Sequence, residues 1–420
     1  MKMKKRLASL LICFLVLSMT ACSTAGNIPA LETTNGVETS DTETTTTTTP
    51  DEPDPNPVTA PKLTEQDFKN AINYLEKCRD EKKLSYAAFA VGNRSGEFFH
   101  WTLEGTTDET LFDMASVTKA AVIAPLFLAA QHEGLLHWDD TLDQHVNAPA
   151  DKAKITLAQL LSHTSGFRNI NVSTAAENPD KAIDAILARD LYFTPGSKSY
   201  YSCNNYILLG HILENTYGKS LDVLFKEKLA PALNMNNSGY KLFETTTNLA
   251  KHQSDPNRVN DEDAHFLRDV AGNAGLFSNI IDMSSFATEL SKGLPTLTSP
   301  EIFEAALVGR TSDRSCGYRI IDESYTQGGS LFPTGSYGHT GHTGQSVFVD
   351  PETGLWVVLL TNATYHISSS KVEKTRGEFH TALANDLISY AVGTILLSNS
   401  NAFVDSTYII GYDQRNHFCI

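Results

Sequence analysis

One stretch, residues 111–130, places two reactive side chains at the start of an apolar run of the kind that forms a buried helix. Ser116 and Lys119 are three residues apart, so on a helix the hydroxyl and the amine lie on one face. Ser116 would lie at the helix N-terminus, where free backbone N–H groups favour developing negative charge. Burial would lower the pKa of Lys119, because desolvation disfavours a charged amine. The stretch therefore predicts an activated serine nucleophile.

The spacing of Ser116 and Lys119 also has an ordinary explanation. A pattern with only two fixed positions arises by chance about once or twice in a chain of this length. Ser368 and Lys371 show the same spacing, but they lie in a polar stretch with no apolar run to bury the lysine. The rest of the sequence therefore decides whether Ser116 is a nucleophile.

The composition argues against several classes of function. With a formal net charge of −16 over 420 residues, the chain is a poor partner for nucleic acid or for an anionic membrane surface. It has no Walker loop, no dinucleotide-binding glycine fingerprint and no HExxH zinc pair. The cysteines after the first 22 residues are too scattered for a disulfide framework or a zinc site, so we expect neither a metal nor a cofactor. These cysteines are Cys78, Cys203, Cys316 and Cys419.

Residues 1–22 have the pattern of an export segment. A basic start precedes an apolar run that is too short for a comfortable transmembrane helix and that ends in small residues. Because Cys22 falls where the apolar run stops, the segment resembles a lipoprotein signal with Cys22 as the lipidated residue. The alternative is a plain secretory signal with an incidental cysteine. We expect an exported, extracytoplasmic protein that is lipid-anchored to the cell membrane.

Residues 23–61 are of low complexity, rich in Thr, Pro, Asp and Glu and without Lys or Arg. Such a segment buries too little apolar surface to offset the entropy of ordering it. We expect a disordered linker with an r.m.s. reach of roughly 35 Å, which holds a folded domain at residues 62–391 away from the membrane. Residues 392–420 form a C-terminal extension to which the sequence assigns no role.

The strand-like segments of the folded part lie near its two ends. Residues 86–91 and 97–103 alternate like strands around a turn, and residues 318–322, 346–349 and 355–361 do so near the other end. The middle of the chain has helical apolar spacing. The sequence therefore predicts an α/β (α+β) fold: an antiparallel sheet built from both chain ends, flanked by helices, with an inserted and mainly helical subdomain.

A nucleophilic serine needs a second proton-handling group and a pocket for the oxyanion. Two later stretches offer them: residues 195–205, a polar loop that contains Tyr201, and residues 338–344, a glycine-rich loop immediately before a strand. Glycine at such an edge lets a substrate backbone approach and pair with the strand. Taken singly, Tyr201 is equally an ordinary half-buried tyrosine, and the glycines are equally a plain turn.

Taken together, the three stretches resemble the serine β-lactamase and penicillin-binding-protein superfamily, in particular the class C β-lactamase-like serine hydrolases. The S-x-x-K motif of that family falls on Ser116 and Lys119. Its second motif, Y-x-N, begins at Tyr201, and its third, K-T-G or H-T-G, falls on residues 339–341. The resemblance covers about residues 65–391, and it implies the β-lactamase/transpeptidase-like fold.

The resemblance implies a role for each motif residue. Ser116 attacks a carbonyl and becomes acylated, while Lys119 and Tyr201 share the proton transfers as the other catalytic residues. The backbone N–H groups of Ser116 and His342 form the oxyanion pocket. The substrate lies against the strand edge and the second motif, and the residues expected to bind it there are His339, Thr340, Gly341, Cys203 and Asn204.

The sequence departs from the family pattern at two positions. Cys203 stands where the second motif usually has asparagine, with Asn204 one place on, and a thiol is a weaker donor than an amide. An alternative register, S-x-N from Ser202, would move the base from Tyr201 to Ser202. His339 stands where β-lactamases have lysine, and a histidine of ordinary pKa is mostly neutral at pH 7. Both departures fit an esterase or a peptidase of D-amino-acid peptides better than an efficient β-lactamase.

These observations predict a membrane-anchored serine hydrolase that acts on an ester or amide through an acyl-enzyme on Ser116. The expected partners are a small ester, a peptide or a cell-wall fragment, and the membrane through the lipid on Cys22. One alternative is a binding lipoprotein that recognises penicillin or cell-wall peptide with little or no turnover. Another is a weak β-lactamase.

Overall fold

The computed structural model of the chain describes residues 63–253 and 255–400, together with residues 411–412 and 418–419. The predictions for the export segment, for Cys22 and for the linker at residues 23–61 lie outside the described residues. So does most of the tail beyond residue 400. Within the described parts of the chain, no helix is both long enough and apolar enough to cross a membrane.

The strands and helices are numbered in chain order. The strands are β1 Ala87–Asn93, β2 Gly96–Thr102, β3 Phe112–Asp113, β4 Gly239–Tyr240, β5 Leu276–Ser278, β6 Arg319–Ile320, β7 Tyr337–Thr340, β8 Ser346–Val349, β9 Trp356–Thr361, β10 Gly411–Tyr412 and β11 Phe418–Cys419. The α-helices are α1 Lys69–Asp80, α2 Ala124–His132, α3 Leu142–His145, α4 Leu157–Leu161, α5 Val172–Ala175, α6 Ala182–Leu187, α7 Cys203–Tyr217, α8 Leu221–Leu224, α9 Ala230–Leu233, α10 Glu262–Phe266, α11 Ile280–Ser291, α12 Pro300–Leu307 and α13 Ser369–Ser400. Five-residue π-helical turns, Lys119–Ile123 and Phe225–Leu229, precede α2 and α9.

The main sheet has six antiparallel strands in the order β2-β1-β9-β8-β7-β6. Its first two strands come from the start of the folded part and the other four from its end, so β1 pairs with β9 with Ala87 opposite Thr361. Helices α2 to α12 come between the two groups of strands. The predicted antiparallel sheet from both chain ends, with helices inserted between them, is confirmed.

Both faces of the main sheet are buried, because alternate side chains of a strand point to opposite faces. On β9, Val358 and Leu360 join the core beneath the helical middle, which also holds the buried residues 124–130 of helix α2. Val357 and Leu359 join a second core against the other face. Helices α1 and α13 cover that second face, so the sheet lies between two helical layers.

A buried carboxylate joins the first helix of the described chain to the last. Asp386 on α13 accepts hydrogen bonds from the backbone N–H groups of Asn70 at 3.0 Å and Ala71 at 2.8 Å, and from the amide of Asn70 at 2.6 Å. These N–H groups lie in the first turn of α1, where a helix has no internal acceptors. Asp386 therefore caps α1 from a distant part of the sequence.

The structure differs from the sequence prediction at three element boundaries. Residues 337–340 form strand β7, where the sequence predicted only a glycine-rich loop before a strand. Gly338 permits this, because a Cβ at its position would lie 2.0 Å from the carbonyl oxygen of Val347 on β8. The predicted strand at residues 318–322 is only two residues long. Helix α13 continues past residue 391, the predicted domain boundary, to residue 400.

We predict that Asp386→Ala lowers the free energy of unfolding by about 1–3 kcal/mol, because it leaves the N–H groups of Asn70 and Ala71 without their buried acceptor. Urea unfolding measures the change. The matched control is Ser389→Ala, an exposed position on the same helix, which is expected to stay within about 0.5 kcal/mol of the parent protein. Equal stabilities of the two variants would contradict the capping role of Asp386.

Candidate active site

A strained turn presents Ser116 between β3 and the helix that follows. Ala115 has a φ of +45°, an unfavourable conformation for a residue with a side chain. The buried carboxylate of Asp113 holds this turn by accepting the N–H of Ala115 at 2.8 Å and the N–H of Asn260 at 2.7 Å. Burial raises the pKa of Asp113 to about 6. Ser116 thus precedes the first helical residue, as the sequence predicted.

The amine of Lys119 is fully buried against three hydrogen-bond acceptors. Its Nζ lies 3.0 Å from the hydroxyl of Ser116, 2.7 Å from the carbonyl oxygen of Asn273 and 3.6 Å from the thiol of Cys203. Three acceptors match the three N–H groups of an ammonium. The π-helical turn that begins at Lys119 is a local widening of the kind often found at functional sites.

The prediction of a lowered pKa for Lys119 is wrong. Burial by itself lowers the pKa of this amine, but the polar interactions with Cys203 and Tyr201 and the negative charge of Asp261 together outweigh burial and raise the pKa above its ordinary value. Burial raises the pKa of Tyr201 and of Cys203 as well, so both keep their protons at neutral pH. The resting site therefore contains an ammonium, a phenol and a thiol.

Tyr201, and not Ser202, reaches the nucleophile. The phenol of Tyr201 donates to the Ser116 hydroxyl at 2.8 Å, and its ring packs against His163 with centroids 4.5 Å apart. The hydroxyl of Ser202 instead donates to the carbonyl of Arg168 at 3.1 Å. Of the two registers that the sequence left open, the geometry fits the one that begins at Tyr201.

The other two residues of the second stretch have separate positions. Cys203 lies beside Lys119, where the family pattern has an amide. Asn204 is buried and turns away: its Oδ1 accepts the N–H of Ile170 at 2.7 Å and its Nδ2 donates to the carbonyl of Ile170 at 3.3 Å. Neither Cys203 nor Asn204 lines the cleft beside Ser116, so the expectation that these two residues bind substrate needs correction.

The third stretch forms one wall of a cleft of about 300 Å³ that contains Ser116 and Tyr201. Residues 339–342 all line this cleft, as the sequence predicted. Gly341 is required at its position, because a Cβ there would lie 2.6 Å from the carbonyl oxygen of Met114. The hydroxyl of Thr343 also donates to the carbonyl of Asp113 at 2.8 Å. These contacts fix the glycine-rich loop against the turn that carries Ser116.

Two backbone N–H groups at this junction have no acceptor. The N–H groups of Ser116 and His342 make no hydrogen bond within the described part of the chain. Both residues line the cleft. Free N–H groups beside a nucleophile have the arrangement needed to stabilise an oxyanion.

His339 is neutral and presents an acceptor. Its Nδ1 lies 2.8 Å from the carbonyl oxygen of Thr340, and since a carbonyl only accepts, Nδ1 carries the proton. Burial, and then the positive charges of Lys119 and Arg314, hold the pKa of His339 well below its usual range. Its Nε2 is buried without a partner among the described residues. A lone pair in this position attracts a donor and repels a carboxylate.

Three arginines that the sequence analysis did not single out also line the cleft: Arg314, Arg319 and Arg376. Asp313 lies 3.5 Å from Arg314 and 3.0 Å from Arg319, so one carboxylate faces two guanidinium groups. The guanidinium of Arg314 lies 5.3 Å from the ring centre of Tyr201. No spacing rule marks these positions; the only signal in the sequence is the density of arginine at residues 310–319 of an acidic chain.

Other candidate features of the described residues carry less chemistry. Ser368 and Lys371, with the same spacing as Ser116 and Lys119, are exposed near the start of α13. A cavity of about 510 Å³ beside α7 is larger than the cleft, but it is lined by none of the predicted site residues. Within the described parts of the chain, no three His, Cys, Asp or Glu side chains are grouped to hold a metal ion.

Comparisons with known proteins agree with the motifs. The family model described as Beta-lactamase matches residues 71–380. A putative D-alanyl-D-alanine carboxypeptidase of Escherichia coli (strain K12) is 30% identical over 303 residues, which cover 61% of this chain and 70% of that protein. An N-acetylmuramyl-L-alanine amidase of Bacillus subtilis (strain 168) is 28% identical over 305 residues, 60% of this chain and 68% of that protein.

Two solved structures share the fold at lower identity. EstCE1, a hydrolase with promiscuous acyltransferase activity, has a TM-score of 0.64 and 19% identity, covering 76% of this chain and 99% of that chain. The octameric penicillin-binding protein homologue from Pyrococcus abyssi has a TM-score of 0.60 and 20% identity, covering 78% of this chain and 77% of that chain. These similarities support a β-lactamase/transpeptidase-like fold.

We predict that Tyr201→Phe lowers kcat for a neutral chromogenic ester by about 10²–10⁴-fold, because Ser116 loses the hydroxyl that exchanges protons with it. Steady-state kinetics with p-nitrophenyl acetate measures the change. Ser202→Ala is the matched control, since its hydroxyl bonds only to Arg168, and it is expected to retain activity. The opposite order, with Ser202→Ala inactive and Tyr201→Phe active, would restore the alternative register.

We also predict that kcat/KM for this ester rises with pH through the alkaline range. Lys119 and Tyr201 both have a pKa above the ordinary value, so at neutral pH both are protonated and both donate to Ser116. Ser116 can pass its proton to Lys119 and Tyr201 only in molecules where this pair has already lost a proton. The fraction of such molecules increases as pH rises. A profile between about pH 6 and pH 10, corrected with Ser116→Ala, measures the effect. A rate that falls with rising pH would contradict it.

Proposed function

The chain belongs to the beta-lactamase family and is a serine hydrolase, and on that premise we propose that it removes a C-terminal D-amino acid from cell-wall peptides. The proposal joins the family to the chemistry of the cleft. A relative named as a putative D-alanyl-D-alanine carboxypeptidase and one named as an N-acetylmuramyl-L-alanine amidase support cell-wall peptide as the substrate class. Such a peptide carries a free carboxylate next to the bond that is cut.

One observation carries the choice of substrate: the cleft beside Tyr201 has an excess of guanidinium charge. Three guanidinium groups and one acidic side chain, Glu373, line the cleft. Arg314 and Arg319 share the carboxylate of Asp313, which lies 3.5 Å from the Nε of Arg314 without hydrogen-bond geometry, and the Nε of Arg319 is buried without a hydrogen-bond partner among the described residues. A substrate carboxylate would provide the missing counter-charge, and guanidinium–carboxylate pairs are among the stronger hydrogen bonds in proteins. His339 is unsuited to that task, since its free nitrogen is an acceptor.

The reaction proceeds in two halves. Acylation begins from the form in which Lys119 and Tyr201 together have lost one proton. The Ser116 oxygen attacks the peptide carbonyl and its proton passes to that pair, while the N–H groups of Ser116 and His342 stabilise the oxyanion. The same pair returns the proton to the departing amine, which leaves as a free D-amino acid. In deacylation, water loses a proton to this pair and attacks the ester, and Ser116 regains its hydrogen.

The location remains a proposal from the sequence alone. We infer that the mature chain is anchored outside the cytoplasm through a lipid on Cys22, where cell-wall peptide is found. Metabolic labelling with a radioactive fatty acid tests this, and Cys22→Ala is expected to abolish the label. Equal labelling of both proteins would overturn the anchor and leave the hydrolase assignment untouched.

A second candidate is a penicillin-binding or peptide-binding protein with little turnover. It is favoured by Cys203, because a thiol that faces Lys119 is a poor substitute for an amide that would orient a substrate. This candidate predicts an acyl-enzyme on Ser116 that accumulates and is not released. Steady release of product at many times the enzyme concentration would exclude it.

The central experiment compares four substrates: a D-Ala-D-Ala peptide, the same peptide as its C-terminal amide, a short neutral ester and a chromogenic cephalosporin. We expect the free-acid peptide to be preferred over its amide by about 10–100-fold, the effect of one charge-assisted hydrogen bond. Ser116→Ala is expected to lose on the order of 10⁶ in turnover. Preference for the cephalosporin would instead identify a β-lactamase.

We predict that Arg314→Gln raises KM for the free-acid peptide by about tenfold or more while changing the amide peptide much less. The ratio of the two peptides isolates carboxylate binding, because any effect on nearby Tyr201 alters both substrates alike. Lys198→Gln is the control, since its amine lies over the rings of Tyr192 and Phe193 outside the cleft. An unchanged ratio in Arg314→Gln would remove the observation on which the substrate assignment rests.

A further inference from the structure

Arg376 is a buried cation whose side-chain hydrogen bonds in the described chain go only to neutral groups, although the negative charge of Glu373 on the same helix also acts on it. It lies on α13 with 3% of its surface exposed, and it forms no salt bridge with any described residue. Its Nη1 donates to the side-chain oxygen of Gln327 at 2.6 Å, and its Nη2 donates to the backbone carbonyl of Gly341 in a close contact. Its Nε is buried without an acceptor among the described residues.

Such a residue is expensive to keep. Burial lowers the pKa of Arg376 to about 10, so the side chain remains charged at neutral pH. A buried charge that is bonded only to neutral acceptors recovers little of its lost hydration, and it destabilises the fold compared with an apolar side chain. Its presence is therefore better explained by chemistry in the adjoining cleft than by stability.

The contact with Gly341 determines the direction of the next N–H group. The carbonyl of Gly341 and the N–H of His342 belong to one peptide unit, and there are no cis peptide bonds in the described chain. In a trans peptide the C=O and N–H bonds point in opposite directions. Because the carbonyl faces Arg376 on α13, the N–H of His342 points away from α13. This is the same N–H that has no acceptor in the described chain.

The carbonyl of Gly341 is held from two sides. It accepts the N–H of Gly344 at 3.2 Å, which closes the turn, and it accepts the guanidinium of Arg376. A positively charged donor hydrogen-bonded to the carbonyl oxygen draws electron density from the peptide group, which makes the N–H of that peptide a stronger hydrogen-bond donor. Removing this charge leaves the carbonyl of Gly341 with one neutral hydrogen bond and the peptide plane freer to rotate.

We propose that Arg376 is a positioning residue for acyl transfer, which orients and polarises the peptide between Gly341 and His342 so that its N–H group receives the oxyanion. The inference rests on the proposed role of the His342 N–H in the Ser116 reaction, and it is independent of which substrate the enzyme cleaves. An oxyanion forms only in the transition state and the tetrahedral intermediate. Loss of Arg376 therefore lowers kcat and leaves KM almost unchanged.

Arg376 also lines the cleft, so direct binding of a substrate carboxylate is the competing explanation. The two explanations differ for a substrate without a carboxylate. A positioning role affects every substrate that forms an oxyanion, including a neutral ester. A carboxylate-binding role affects only substrates with that group and leaves the neutral ester unchanged.

The test compares the parent protein with Arg376→Gln and Arg376→Lys, using hydrolysis of p-nitrophenyl butyrate and inhibition by phenylboronic acid. Neither compound has a carboxylate, and the boronic acid forms a tetrahedral adduct with a nucleophilic serine. For Arg376→Gln we expect kcat to fall about 10–100-fold, which does not exceed the loss caused by removing an oxyanion-hole donor itself. We expect KM to stay within about twofold of the KM of the parent protein. The boronic acid is expected to bind more weakly by a similar factor.

Arg376→Lys keeps the charge without the two-pronged contact, and we expect it to recover part of the lost kcat and boronic acid affinity. Thr375→Val is the matched control on the same helix, because its hydroxyl bonds only to the carbonyl of Lys371. It is expected to match the parent protein. The melting temperature of Arg376→Gln is expected to stay the same or to rise, since a buried charge has been removed.

An unchanged kcat and boronic acid affinity in both Arg376 variants would overturn the proposal. A lowered melting temperature together with a lower kcat and a higher KM would also overturn it, because that combination indicates a structural role. Failure of the substrate assignment is a separate result: if the parent protein cleaves the ester but not the D-Ala-D-Ala peptide, the proposed function fails and the role of Arg376 is still decided. If the peptide is cleaved and the variants behave like the parent protein, only the role of Arg376 fails.

Discussion

The interaction on which the site depends is the burial of one ammonium among three acceptors. Lys119 bonds to the serine three residues earlier, to the carbonyl of Asn273 and to the thiol of Cys203. These groups come from three widely separated parts of the chain, so Lys119 is satisfied only when the helical middle has packed correctly. A buried lysine without such partners would lose its charge or destabilise the fold. The same contacts that hold the helices together therefore assemble the nucleophile and its proton acceptors.

Charged and neutral side chains occupy different parts of the cleft. Positive charge is concentrated in Arg314, Arg319 and Arg376 at its walls, while His339 next to the nucleophile is neutral. Burial, and then the positive charges of Lys119 and Arg314 nearby, keep the pKa of this histidine low. In this cleft the third motif contributes a neutral histidine, and the arginines further along the wall carry the positive charge. The negative end of a substrate would be held at some distance from Ser116.

Local patterns in the sequence were sufficient for much of the fold and for the centre of the site. The spacing of Ser116 and Lys119 and the strand patterns at both chain ends depend on near neighbours, and both appear in the structure as predicted. What failed depends on contacts between distant segments. The pKa of Lys119 follows from Cys203 and Tyr201, and Asn204 turns away because the backbone of Ile170 occupies its amide. Likewise, no pattern in α13 indicates that Arg376 meets the carbonyl of Gly341.

The pairing of the two chain ends has a consequence for how the polypeptide is made. Strand β1 is completed by β9, and the first turn of α1 is capped by a residue 315 positions later. During synthesis the ribosome therefore releases β1 long before its partner exists, and the central sheet forms only after nearly the whole chain has emerged. Such non-local closure slows folding. If the chain is exported as we propose, this delay keeps it unfolded during translocation.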